Sequence, residues 1–198
     1  MYKKSRQFKY YFAAFFLAVA AGALFVVPFT VRGGGIYYLG SDFVEQQIPF
    51  WTYCNNAIKQ GNIWWSAAND LGTQFIGAYS FYNLASPFFL LSLLIDADKI
   101  YMFIGRFLLL KFGVCSTAAF AYIKQYTKTP FAAVIAGLIY TFCGWQISNM
   151  NFFHFIDAAA MFPLMLLALD MAFKKDKKGF FALTVAVCAF TNYVLFVG

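Results

Sequence analysis

"IYMFIGRFLLLKFGVCSTAAFAYI", residues Ile100–Ile123, decides the fold. Apart from Arg106 and Lys111 the run carries no charge. As a helix it would extend roughly 36 Å, enough to cross a hydrocarbon core roughly 30 Å thick. Comparable apolar runs lie on both sides of it, at Phe8–Val31, Phe131–Ile147, Ala158–Phe173 and Phe180–Val197. The whole chain is 62% hydrophobic and 12% charged, where soluble domains sit near ~45–50% and ~25%. Such an excess is lipid-facing surface rather than a larger core. The expected fold class is therefore an all-α polytopic membrane protein. The abundance of Phe and Tyr suits lipid contact and interfacial belts.

Charge placement predicts the topology. Lys3, Lys4, Arg6 and Lys9 precede the first run, which puts the N-terminus in the cytoplasm. The stretch Phe81–Ile95 is interrupted by Asn83, Ser86 and Pro87. If it crossed, Lys124 and Lys128 would face outside. If it is re-entrant or interfacial, they and Lys174, Lys175, Lys177 and Lys178 are all cytoplasmic, in line with the positive-inside rule. The expectation is thus five spans, at about 8–31, 100–123, 131–147, 158–173 and 180–197. A large outside loop over 32–99 would contain short helices and the non-crossing 81–95. The first run is too long for a signal-peptide core and has no convincing cleavage site, so it reads as an uncleaved helix. The last run ends without flanking charge, which predicts the front part of a longer protein.

The net charge of +7 does not point to nucleic acid. The basic residues cluster at the ends of apolar runs, where they set orientation rather than track a phosphate backbone. Cys54, Cys115, Cys143 and Cys188 are scattered with no C-x-x-C pair, so neither a disulfide nor a metal cluster is expected.

Residues able to do chemistry gather in two segments expected at the outer face. "GSDFVEQQIPFW", Gly40–Trp51, holds Asp42, Glu45 and Gln46; "NMNFFHFID", Asn149–Asp157, holds His154 and Asp157. A helix would put those last two on one face. Acids from two loops could converge there, and a divalent cation at Asp42 and Asp157 is conceivable, although spacing cannot show it. Each residue also has a plainer reading. Asp42 and Glu45 could be solvated loop acids, His154 a packing residue, and Asp157 a helix cap. Trp51, Trp64 and Trp65 could form an aromatic belt or a stacking platform for a sugar. Arg106 and Lys111 are harder to dismiss, because a charge within a span costs about 2.5–3.5 kcal/mol on insertion scales. Such a group normally faces a polar cavity or an anionic partner, unless it snorkels.

The order of these features resembles the YfhO family of bacterial membrane proteins, which belong with the GT-C glycosyltransferases. The resemblance runs through Ser41, Asp42, Gln46, Pro49 and Phe50, then Gly61, Trp65 and Gly72. It continues through Lys111, through "HFIDAAAMFPLMLLALD" with His154, Asp157, Pro163 and Leu164, and through "TNY", Thr191–Tyr193. It implies a GT-C-like helix bundle in the bacterial cell membrane. The implied activity transfers a sugar, with inversion, from a polyprenyl-phosphate carrier to a cell-envelope acceptor such as teichoic acid. Asp42 would be the catalytic base. Glu45, Gln46, Trp65, Arg106, Lys111, His154 and Asp157 would contact substrate, with Arg106 or Lys111 on the departing lipid phosphate. No cofactor is implied beyond a conceivable divalent cation. The partners would be the lipid-linked donor, a cell-wall polymer and membrane lipid. Two non-enzymatic readings stay open. A lipid-linked-sugar flippase or transporter would place its acids nearer the midplane, and a membrane assembly subunit would not need Asp42.

Overall fold

The computed structural model describes residues 2–67, 69 and 71–197, with side chains from Phe8 onward. The orienting side chains of Lys3, Lys4 and Arg6, and the terminal Gly198, lie outside that set; Lys9 is exposed. The chain is an all-α polytopic membrane protein. Among the described residues, helices at Phe8–Arg32, Ala97–Ile123, Pro130–Ser148 and Phe153–Lys175 are long and apolar enough to cross a bilayer.

Helix α1 runs Tyr2–Arg32, with Pro28 near its end, where a lost backbone hydrogen bond disturbs least. A turn through Gly34 and Gly35, both at positive φ, leads to a π-helical turn at Phe43–Gln47 and then to α2, Ile48–Lys59. Beyond α2 a two-residue antiparallel ladder pairs β1, Trp65–Ser66, with β2, Thr73–Gln74. A short α3, Phe75–Tyr79, a second π turn at Ser80–Leu84 and α4, Pro87–Ser92, complete the first connection. Then come α5, Ile100–Ile123, and α6, Pro130–Thr141. The short α7, Gly144–Ser148, precedes the long α8, Phe153–Lys175. Last are α9, Lys178–Thr191, and α10, Tyr193–Val197.

The segment 81–95 is therefore not one helix. Its helical piece, α4, rises only about 9 Å. The end of α4 and the residues after it are tied to α2 by polar contacts: the Asn55 amide donates to the buried Ser92 carbonyl at 2.6 Å and to that of Ile95 at 3.3 Å, and the exposed Lys59 ammonium also donates to Ile95. Ser86 caps α4 by accepting from the Phe89 N–H. Burial on α2 also seals Cys54, whose thiol is pushed up to about 12 by desolvation, against a lowering contact from Asn83. All four cysteines are free.

The last apolar run differs from the single span expected. Helix α9 rises about 21 Å and stops at Asn192, whose backbone is extended at φ −158 and ψ 92. The break has a polar cause. The Asn192 amide donates to the His154 carbonyl at 3.2 Å, and its oxygen accepts from the Leu195 N–H at 3.0 Å. The 131–147 run is likewise interrupted, with Cys143 extended between α6 and α7. The 158–173 run is longer than expected, since α8 starts at Phe153.

Helix α5 is the axis of the bundle: 67% of its apolar window is buried, against 22% for α1. Between lipid-bathed helices the hydrophobic effect gives little drive, so close packing at small residues carries the contact. A Cβ at Gly113 would lie 2.5 Å from the Phe15 ring of α1, and one at Gly22 would lie 2.7 Å from Phe112. Across the other seam a Cβ at Gly137 would lie 2.8 Å from the Ser116 backbone oxygen.

That last clash is with backbone and cannot be relieved by a rotamer change. Gly137→Leu is expected to cost about 1–3 kcal/mol or more through overpacking, read as a lowered unfolding temperature in detergent. Gly144→Ala, which meets nothing within 4 Å, should leave it unchanged. Topology is checked by thiol labelling after replacing the four native cysteines. A cysteine at Asn62 is expected to react with an impermeant reagent added outside, and one at Gln125 is not. Both positions are exposed, so equal labelling would place them on one side.

Candidate functional site

The candidate site forms around the first turn of α8. Lys111, on the core face of α5, is 0% exposed, and its ammonium forms an ion pair with Asp157, whose side chain is 1% exposed. The same ammonium donates to the Phe153 carbonyl at 3.1 Å. Three rings enclose it, with centroids at 4.3 Å for Phe153, 5.1 Å for Trp51 and 5.4 Å for Phe88. Cation–π contacts contribute about 0.5–1 kcal/mol at exposed sites and about 2 kcal/mol or more when desolvated, as here. The anionic partner demanded by a charge inside a span is thus Asp157. Lys111 does not face an open groove. Asp157 does not cap its helix either, for the N-cap position is Phe152.

Phe153 is held from both ends of its own residue. Its carbonyl accepts from Lys111, and its N–H donates to Gln47 Oε1 at 3.2 Å. Gln47 closes the π turn that begins beside Asp42, and Phe43 of that turn meets the Phe153 ring edge-on at 5.4 Å. The second π turn flanks the other side of α8: Phe81 and Tyr82 lie 4.6 Å and 5.3 Å from the His154 ring. A π turn carries one residue more than an α turn and often marks a functional position. Here two of them grip one helix start. His154 is buried among rings, with its Nδ1 unpartnered among the described residues.

Asp42 sits at the rim. Ser41 before it is in the left-handed region, φ 50, and its carbonyl accepts from Val44 and Glu45. The turn is tight, and Asp42 leaves it half-buried, with Gln46 Nε2 donating to its Oδ1 at 3.4 Å. Glu45, next along, is exposed. Trp65 is 66% exposed on β1, its indole lying over Gly72 at φ +103. Arg106 is exposed on the opposite face of α5 from Lys111; it donates to the Met102 carbonyl at 3.0 Å and its guanidinium lies 4.6 Å from the Phe103 ring centre.

The structure thus brings Lys111, Asp157 and His154 to one buried locus and ties the segment of Asp42, Glu45 and Gln46 to it through Gln47. Trp65 and Arg106 lie elsewhere. Asp42 and Asp157 do not fit a shared divalent cation, because Asp157 gives its carboxylate to Lys111. Among the described residues no three His, Cys, Asp or Glu side chains gather as metal ligands. Gln47 is the residue that sequence reasoning passed over, and Trp51, weighed there as belt or sugar platform, is instead a wall of the Lys111 enclosure. Both stand in the Gly40–Trp51 stretch, but nothing in their spacing distinguishes Gln47 from Gln46, or Trp51 from an interfacial tryptophan.

The chain matches the family described as "Bacterial membrane protein YfhO" over residues 13–195. It belongs to the YfhO family. No curated protein and no solved structure matches it. The family match covers both π turns, the Lys111–Asp157 pair and Asn192, so the whole site lies within it.

Removing one partner of a buried ion pair leaves the other charge uncompensated, at a cost of about 3–5 kcal/mol. Lys111→Met and Asp157→Leu are each expected to lower the unfolding temperature sharply in detergent. The double variant Lys111→Met/Asp157→Leu should recover most of the loss. Additive losses would show that the two side chains do not act as a pair.

Proposed function

We propose that this YfhO-family chain carries the acceptor-activating part of a membrane glycosyltransferase. In this reading a sugar passes from a polyprenyl-phosphate carrier to a hydroxyl of a cell-envelope polymer, such as teichoic acid, at the outer face. The single observation that carries the reading is the state of Asp42. Asp96, Asp157, Asp170 and Asp176 are each ion-paired with a lysine. Glu45 and Asp98 have no such partner but are exposed. Asp42 alone among the described acids is both half-buried and free of a cation, at the end of a segment anchored to the bundle. A general base needs that combination: a basic oxygen that is accessible, unspent and fixed in place.

The chemistry follows. Asp42 takes the proton of the acceptor hydroxyl as its oxygen attacks the anomeric carbon from the face opposite the lipid phosphate. The new C–O bond forms as the bond to the phosphate oxygen breaks, and the electron pair departs on the carrier phosphate. The anomeric centre inverts, and charge develops on the ring as in other glycosyl transfers. Lys111 does not serve as the phosphate ligand in this scheme. Sealed by Asp157 and three rings, it fixes the start of α8, and through Phe153 and Gln47 the segment bearing Asp42.

The test compares isosteric changes in the full-length protein reconstituted in vesicles, with labelled sugar on polyprenyl phosphate as donor. Asp42→Asn is expected to slow transfer by at least about a hundredfold, since general-base contributions run about 10²–10⁴-fold, while donor binding holds. Glu45→Gln should change the rate by much less. Equal, mild effects would remove the catalytic reading and favour a flippase or an assembly role.

A further inference from the structure

We propose that the cleft between α1 and α5 binds an anionic membrane phospholipid, with its phosphate on Arg106. The cleft has a volume of 240 Å³. Its α5 wall is the stripe Met102, Gly105, Arg106 and Leu109, and its α1 wall is built from Val26, Val27, Thr30 and Val31. Those spacings each describe one helix face. Below the cleft the seam is shut by Gly113 against Phe15. At Gly105 a Cβ would lie 2.8 Å from Tyr37, so that side is closed as well.

Three features identify the occupant. First, Arg106 has no carboxylate partner among the described residues, in contrast to Lys111 on the same helix. A charge on an apolar span without a counter-ion is costly, and a phosphate at this point offsets that cost. Second, one described hydrogen bond, to the Met102 carbonyl, occupies the guanidinium; its other N–H groups are free to fork onto phosphate oxygens. That bond also draws the side chain back toward the start of α5. Third, the walls continue outward as exposed valines, Val27 at 51% and Val31 at 72%, a surface for lipid chains. Tyr37 is on the same lining, and its buried hydroxyl has no partner among the described residues.

A bilayer phospholipid fits better than the sugar carrier. Asp42 is not among the cleft residues, so a carrier phosphate on Arg106 would hold its sugar away from the proposed base. The cleft has a cation and aliphatic walls but no array of amides to read a sugar.

The test is native mass spectrometry of the full chain in detergent, titrated with phosphatidylglycerol, phosphatidylcholine or undecaprenyl phosphate. Phosphatidylglycerol is expected to be retained in preference to the other two. Arg106→Gln should weaken its retention about tenfold, the scale of losing charge-assisted hydrogen bonds. Val27→Trp, which narrows the cleft while keeping the charge, should weaken it as well and does not alter the ionic partner. Equal retention of phosphatidylglycerol and phosphatidylcholine would overturn the proposal, as would indifference to both substitutions. Preferential retention of undecaprenyl phosphate would overturn it too and would assign the cleft to the carrier.

Discussion

The ammonium of Lys111 is the constraint on which the upper half of the bundle depends. It joins α5 to α8 through Asp157 and the Phe153 carbonyl, and it lies against rings from α2 and α4. In a lipid setting such a pair has no water to exchange with when it opens, so the helices that carry it stay in register. One residue of slip on α8 would rotate Asp157 by about 100° away from Lys111. A purely aliphatic contact would tolerate that slip far better, because one leucine surface resembles another. The pair therefore contributes specificity of arrangement more than raw stability, the use for which buried polar groups are best attested.

What the pair fixes is a helix start, and the helix start in turn fixes a loop. Lys111 takes the carbonyl of Phe153 and Gln47 takes its N–H, so a single residue transmits the position of the bundle core to the segment of Asp42. The Phe43 and Trp51 rings pack on the Phe153 ring from two directions. An acid on a free loop would sample many positions. One joined by a short π turn to a buried clamp samples few.

Much of this was legible in the sequence, and the reason differs from residue to residue. The long spans follow from hydropathy and length, because lipid imposes both. The need of Lys111 for a partner follows from the energy of a buried charge. Its identity does not, since Asp157 lies on another helix and reads equally well as a cap. The break at Asn192 was hidden for the same reason: an asparagine in an apolar run becomes a helix stop only when a carbonyl such as that of His154 is there to receive its amide. Charge counting made the 81–95 stretch an expected non-crossing segment, and the structure breaks it into short pieces; its attachment to Asn55 was not readable, being a tertiary contact. Local propensity reports what a segment can do alone; each miss here is a polar group answered from a distant part of the chain.

The two cations of α5 show how one helix serves two environments. Arg106 and Lys111 are five positions apart in the chain, which at about 100° per residue places them about 140° apart around the axis. One therefore points inward to Asp157 while the other opens on the α1 seam. Residue type follows the same division. A compact ammonium suits an enclosure of one carboxylate, one carbonyl and three rings, and a lysine there leaves few donors unspent. A guanidinium, weakly hydrated and able to fork, suits the open seam between α1 and α5. Exchanging the two would strand donors inside the bundle and leave a strongly hydrated point charge on its lipid face, so their order along the helix is as much a part of the fold as the glycines that let α1 approach it.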